Sequence, residues 1–292
     1  MSASSVIVVP IHRRDLSAVE VAALQICAAR SGSHAIVLVH KASIHCQSFV
    51  ACLPLSESQL ERFMFVPVPD HWLESIASYN SLLLQGWFYR LFSAWTYLLI
   101  FQLDAWLLSD QLDVWLAKRY SYIGAPWTGD LGPDTPDVGV GNGGFSLRCV
   151  KEMIAICESS QWHWMPVFRG RLLAYRMTLF RRYHLFPLTK RPLLFFKRLI
   201  LFAAMSCGWH NTLAYYASIG TQEDHLLSVF APQVYPWLRL PSMAEAAGFA
   251  VETNPRATFA AYGIERPLGC HAWEKHDRAF WCAMFPEEFG AL

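Results

Sequence analysis

The sequence predicts an α/β fold, a central mixed, mostly parallel sheet flanked by helices, and three features predict it. The chain opens on a strand, helix, strand order. Val6-Ile7-Val8-Val9-Pro10 is a continuous apolar run, Leu16 to Ala29 carries apolar residues at helical spacing, and Ala35 to Val39 is apolar again. That order is the βαβ unit of a parallel sheet, and continuous apolar runs mark strands buried on both faces. Third, Tyr97 to Leu103 is an equally apolar run that stops at a carboxylate, Asp104. Open α/β sheets keep their ligand crevice at the carboxyl ends of such strands. With 292 residues, 54% of them hydrophobic, the chain can bury a sizeable core. It reads as one domain over 1–292 with an insertion at about 160–222.

The other elements follow in order. Phe63 to Val66 reads as a third strand, and Ser78 to Trp95 as a helix with Leu and aromatic residues on most faces, hence largely buried. Tyr122 to Gly124 is a further strand. The Ala125-Pro126-Trp127 turn leads into Thr128 to Gly139, whose Gly, Pro and Asp content predicts a mobile loop. Phe145-Ser146-Leu147 resumes a strand and Val150 to Glu158 is a helix. Helices are expected near Phe168 to Tyr183 and Leu193 to Ala204, and Glu223-Asp224 starts another short one.

Net charge is +1, but it is unevenly spread. From Ser160 to Gln222 there are nine Lys or Arg and no Asp or Glu, which leaves the rest of the chain at −8. The nine, Arg169, Arg171, Arg176, Arg181, Arg182, Lys190, Arg191, Lys197 and Arg198, are interleaved with aromatic and aliphatic residues. Such an insertion suits an anionic membrane surface, and it reads equally as a solvated basic face packed by its apolar side on the main domain. No nucleic-acid motif accompanies the charge. Eight cysteines without a Cys-x-x-Cys pair, in apolar context, read as reduced core residues of a cytoplasmic protein. The start, Met-Ser-Ala-Ser-Ser, lacks the pattern of a secretory signal. The longest apolar run, Leu199 to Trp209, is about half a membrane span.

Val140 to Arg148, Val-Gly-Asn-Gly-Gly-Phe-Ser-Leu-Arg, is the most informative stretch. Gly141, Asn142, Gly143 and Gly144 would let the backbone pass close to a bulky ligand and adopt positive φ, and the same four residues would also make a tight hairpin. Asp104 can accept from a ribose hydroxyl or ligate a divalent cation, and it reads equally as a helix N-cap or loop hydrogen-bond acceptor. Asp110 and Asp113 follow within about three turns.

Taken together, Tyr79-Asn80, Gln102-Leu103-Asp104-Ala105, Tyr122 to Trp127, Gly141 to Arg148, Glu223-Asp224 and Pro267 to Trp273 resemble a GT-A-type (Rossmann-like) glycosyltransferase, within a mainly bacterial family of unassigned function. The resemblance covers nearly the whole chain apart from the basic insertion. It implies four landmarks. An Asp-x-Asp element, which binds donor ribose and a divalent cation (Mn or Mg), would fall at Asp104-Ala105-Trp106, where Trp106 replaces the second carboxylate and puts metal dependence in question. Gly141-Asn142-Gly143-Gly144 would face the donor sugar. Glu223-Asp224 would supply the general base of an inverting enzyme, Asp224 being the first choice, although Thr221-x-x-Asp224 also reads as a helix cap. His271, beside Trp273, would join the metal or the diphosphate, or be a satisfied core histidine.

By the same analogy Pro10, His12 and Arg13 would lie under the nucleotide, with Tyr79, Asn80 and Gln102 near base or ribose. The implied activity is transfer of a sugar, hexosyltransferase-like, from a nucleoside-diphosphate sugar to a hydroxyl of a glycan or glycolipid acceptor. Surface-polysaccharide or glycolipid assembly on the inner face of a membrane is the implied setting. Retaining and inverting outcomes both stay open. The alternatives are a nucleotide-sugar or glycan-binding protein that lost catalysis, favoured by Trp106, and a membrane-surface scaffold built on the insertion.

Overall fold

The structure is a computed structural model that describes residues 4–128, 139–159, 163–164, 209–210 and 222–290. The basic insertion, with its expected helices and its arginines and lysines, therefore lies outside the described residues, as does most of the loop expected at 128–139. Only the strand pair β8 (His163–Trp164) and β9 (Trp209–His210) is described there, and its antiparallel pairing brings the chain back at 209 beside where it left at 164.

The predicted opening is present. Strand β1 (Ser5–Ile11) and strand β2 (Ala35–Lys41) pair in parallel across helix α1 (Ala18–Arg30). The helix starts where Ser17 and Glu20 form a reciprocal capping box, each side chain holding the other's backbone N–H. Two short helices, α2 (Cys46–Val50) and α3 (Glu57–Leu60), lead to β3 (Phe63–Val68), parallel to β2.

The helix expected over Ser78 to Trp95 is broken into α4 (Ile76–Leu82) and α5 (Gly86–Arg90). The Tyr89 hydroxyl donates to the Leu83 carbonyl at 2.8 Å, taking an acceptor that a continuous helix would use. Gly86 lets the Glu158 side chain press on the backbone, where a Cβ would overlap it.

Strand β4 (Tyr97–Phe101) lies beside β1 in parallel. After it come β5 (Ala105–Leu107), α6 (Leu112–Ala117), β6 (Tyr122–Gly124), β7 (Phe145–Cys149) and α7 (Val150–Cys157). The main sheet has the order β3-β2-β1-β4-β7-β6, with β7 running against both of its neighbours. The mixed, mostly parallel sheet is thus as predicted. Alternation along the strands divides the core in two: Ile7, Val9, Leu99 and Phe101 pack with α1 on one face, while Val6, Val8, Leu98 and Ile100 pack with α7 on the other.

Three short strands, unread in the sequence, form a second sheet. Strand β10 (Ala250–Val251) runs parallel to β11 (Gly269–His271), which pairs antiparallel with β5. Its register sets His271 opposite Ala105 and Cys270 opposite Trp106. Among the described residues no helix is long and apolar enough to cross a membrane.

Candidate functional site

A cleft of about 570 Å³ opens at the carboxyl end of β4, between the glycine loop, the helical turn at Glu223 and the second sheet. A smaller cleft of about 420 Å³ adjoins it beneath the end of β1, and the two share Ile76, Tyr79, Gln102 and Asp104. This is where a parallel sheet places ligands.

The second sheet builds the polar floor. Pairing of β11 with β5 brings His271 beside Asp104, and Glu252 follows β10 directly. His271 Nδ1 meets a Glu252 carboxylate oxygen at 2.9 Å, while Nε2 meets Asp104 Oδ1 and Gln102 Oε1, each at 3.1 Å. Burial alone would lower the imidazole pKa, but the hydrogen bonds and charges of Asp104 and Glu252 outweigh it and hold His271 up at about 10. It is an imidazolium at neutral pH. Burial would likewise raise the Asp104 carboxyl, yet its bond to His271 keeps it below the usual range.

The two residues that reach this floor at a spacing of two are therefore Gln102 and Asp104. Trp106, the third position of the expected Asp104-Ala105-Trp106 element, does not reach this floor. Trp106 is buried in the core, its ring 5.3 Å from Phe289 and 6.3 Å from Trp273, and its indole N–H donates to Glu288 at 3.1 Å. Glu288 is itself held by Arg30 and Arg266. A divalent cation at Asp104 would take His271 as a ligand only as a neutral imidazole, in place of the Nε2 proton, with Glu252 on the other nitrogen as the outer partner such ligands commonly have. Among the described residues no three His, Cys, Asp or Glu side chains converge as a complete metal site.

The glycine loop is shaped chiefly by protein neighbours. Asn142 accepts from the Gly144 and Phe145 N–H groups at 3.0 and 3.4 Å and donates to Glu252. Gly141 alone of the loop's three glycines has positive φ, at 147°, and a Cβ there would strike Ser228. A Cβ on Gly143 would overlap the Glu223 carboxylate, and one on Gly144 the His271 imidazole. Gly143, Gly144 and Asn142 line the cleft, and Gly141 does not.

The adjacent acids at the start of the next helix have different surroundings. Glu223 is buried and bonded at 2.7 Å to Arg148 Nη2, whose guanidinium, wholly enclosed, also donates to the Tyr89 hydroxyl, the Ser146 hydroxyl and the Gly143 carbonyl. Among the described residues Asp224 has no cationic partner of this kind. Its carboxylate accepts from the Gly143 N–H at 3.2 Å and the His225 N–H at 2.7 Å. Burial, and then the charge of Glu223, push its pKa up to about 8. The helix is capped by Gln222 with no side-chain bond, and the expected Thr221 cap lies outside the described residues. A π-helical turn, Leu226–Phe230, follows, a geometry frequent at functional sites. Trp127 stacks on His225 at the cleft wall, with centroids 4.2 Å apart.

Of the remaining expected residues, Pro10 and His12 line the small cleft and Asn80 the large one. Arg13 instead pairs with Glu20 at 2.5 Å on the exposed start of α1 and lines neither. Asp113 is remote, pairing with His34 at 3.3 Å. Glu252 and the partnership of Arg148 with Glu223 have no signature in the sequence: residues 75 positions apart are joined only by the fold.

The crystal structure of mouse xyloside xylosyltransferase 1 in its apo form is similar over 91% of this chain and 97% of that one, at 10% identity and a TM-score of 0.47. None of the curated proteins matches the chain. The model of the family described as "Protein of unknown function (DUF5672)" matches residues 62–271, the span that holds Asp104, the glycine loop, Glu223-Asp224 and His271, and the chain belongs to that family.

Proposed function

We propose that the protein transfers a sugar from a nucleoside-diphosphate sugar to a hydroxyl acceptor. The observation that carries this reading is the pairing of a buried carboxyl with a bonded imidazole in one cleft. A proton-accepting carboxylate, Asp224, and a fixed cation, His271, both line the cavity into which the glycine loop and Asp104 project. The order of these elements along the chain matches the GT-A resemblance of the sequence.

In this reading Asp224 takes the proton of the acceptor hydroxyl as its oxygen bonds to the anomeric carbon. The bond from that carbon to the diphosphate oxygen breaks, and the electron pair leaves with the diphosphate. His271, fixed by Asp104, Gln102 and Glu252, presents positive charge toward that leaving group without reorganising. A divalent cation held by Asp104 and a neutral His271 would replace the imidazolium as the charge facing the same oxygens. Glu223 stays bound to Arg148 and positions Asp224 and the glycine loop. The small cleft, walled by Pro10, His12, Leu73 and Ile76, accommodates the nucleoside.

The test is a thermal-shift screen against UDP, GDP, CDP and dTDP, each with and without Mn²⁺ or Mg²⁺. A nucleotide at a hundred times its Kd stabilises the fold by about 2.7 kcal/mol. At about 2–4 °C per kcal/mol that is a rise of roughly 5–11 °C. One nucleotide giving such a rise supports the donor site, and dependence on metal assigns Asp104 and His271 a cation. No shift with any nucleotide at millimolar concentration overturns the reading.

A further inference from the structure

The Asp224 carboxylate is held by two backbone N–H groups, one on each oxygen: Gly143 donates to Oδ2 at 3.2 Å and His225 to Oδ1 at 2.7 Å. The donors belong to different elements, the glycine loop and the turn of helix that carries Asp224 itself. The Ala125-Pro126-Trp127 turn, which follows β6, braces both. On the loop side, the Ala125 carbonyl accepts from the Gly141 and Asn142 N–H groups at 3.0 and 3.1 Å, and the Trp127 N–H donates to the Gly139 carbonyl at 3.2 Å. Gly124, just before the turn, packs so closely that a Cβ there would overlap the Asn142 carbonyl. Asn142 in turn holds Gly144 and Phe145, so Gly143 lies between two fixed neighbours. On the helix side, the Trp127 ring stacks on the His225 imidazole, with centroids 4.2 Å apart and planes 13° apart.

Core packing does not account for Trp127. The residue is 7% exposed, yet it belongs to neither of the two apolar clusters that flank the main sheet, and among the described residues its ring contact is with His225. A stack of this kind fixes the plane of the imidazole. The imidazole hangs from the backbone by a single methylene, so fixing it restrains the Cα and the N–H behind it.

We infer that Trp127 is a positioning residue: by clamping the His225 ring while its turn anchors the glycine loop, it holds both N–H groups on the Asp224 carboxylate. The inference rests on the proposed transfer reaction and adds to it the group that keeps the base in place. The charged groups that act on Asp224 are Glu223 and Arg148, and the titratable His225 follows it in the chain. An N–H bond favours the ionised carboxylate, and both bonds lower a pKa that burial and Glu223 hold up at about 8. Release of the His225 N–H therefore moves that pKa upward, by about one unit for one hydrogen bond to a charged group.

The test uses Trp127→Leu, which keeps an apolar side chain without a ring, and Trp127→Phe, which keeps a ring, both in the full chain. Release of nucleoside diphosphate from UDP-glucose, UDP-galactose, GDP-glucose, GDP-mannose, CDP-glucose and dTDP-glucose is followed from pH 6 to 10. Exchange of the His225 amide hydrogen is followed without donor, so it reads the brace separately from the reaction. In Trp127→Leu the rise of turnover with pH is expected to move up by about one pH unit, activity lost near pH 7.5 returning at high pH, and the amide to exchange about tenfold faster. Trp127→Phe is expected to stay near the wild-type profile. A uniform loss at every pH, a profile moved downward as a newly charged imidazole would cause, or a Trp127→Phe as displaced as Trp127→Leu would each overturn the inference. Unchanged amide exchange would overturn it as well. Where Trp127→Leu does not fold, His225→Leu removes the other half of the stack: the same upward move supports the inference and an unmoved profile overturns it. A wild type that releases no nucleoside diphosphate from any of these donors removes the transfer reading and this role with it. A wild type whose turnover rises through about pH 8 while Trp127→Leu shares that profile removes the role of Trp127 alone.

Discussion

Glu223 and Asp224 are adjacent in sequence, and their surroundings predict opposite consequences of neutralising them. In Glu223→Gln the fully enclosed Arg148 loses its carboxylate partner at 2.7 Å and keeps only neutral acceptors, the Ser146 hydroxyl, the Tyr89 hydroxyl and the Gly143 carbonyl. Breaking a buried pair by removing one member costs about 3–5 kcal/mol, and the lower end applies because a Gln oxygen still accepts from Arg148. At about 2–4 °C per kcal/mol, a cost of about 3 kcal/mol lowers the melting temperature by roughly 6–12 °C. Asp224→Asn removes a carboxylate whose ionisation burial opposes, so at pH 7.5 its stability is expected to match or exceed that of the wild type. Activity should follow the reverse order, with Asp224→Asn abolishing turnover and Glu223→Gln, measured well below its melt, retaining part of it. Melting followed by circular dichroism at pH 7.5, paired with release of nucleoside diphosphate from the donor sugar, reads both quantities. A destabilised Asp224→Asn, or a Glu223→Gln that is as stable as the wild type and inactive, would refute the division of roles.

Three further outcomes are expected. The folded pKa of Asp224, about 8, lies above its ordinary 3.8, so the stability it contributes is fully present below 3.8 and lost as pH rises through about 8. Chemical denaturation from pH 4 to 9 should show that decline in the wild type and a flatter profile in Asp224→Asn, while turnover rises with pH through the same upper value. Trp106→Phe, which gives up the indole bond to Glu288, is expected to cost about 1–2 kcal/mol and to leave donor titration unchanged, whereas altered metal dependence would restore Trp106 to the site. Gly144→Ala drives a methyl into the His271 imidazole and should cost about 1–3 kcal/mol, with donor affinity falling alongside; an unaffected titration would detach the loop from the floor of the cleft.

Much of the fold is legible in local pattern. The apolar runs at β1, β2, β3 and β4 and the capped helix α1 need only burial and periodicity, and all five are present. The stretch from Ser78 to Trp95, with Leu and aromatic residues on most faces, carries no periodicity that could mark its break, which depends on Tyr89 and on Glu158, a residue of a distant segment. The direction of Trp106 was illegible for a related reason. Local spacing cannot tell which side of a three-residue strand meets the core until β11 pairs with it. Asp104, Asp224 and His271 could be singled out, but their surroundings could not. Glu252 is a lone acid after an apolar pair, and only the second sheet makes it the partner of His271. The glycines, expected to give room to a ligand, give it mainly to Glu223, Ser228 and His271.

The most direct test of sugar transfer is a single comparison of wild type with Asp224→Asn. Both are incubated with the nucleoside-diphosphate sugar that binds the wild type. Binding is titrated calorimetrically, and release of nucleoside diphosphate is followed with time. The account predicts similar donor affinity for the two proteins, release by the wild type, and none above background by the variant. Release by Asp224→Asn at the wild-type rate would contradict the role of that carboxylate, and a wild type that binds donor without ever releasing diphosphate would contradict the reaction itself.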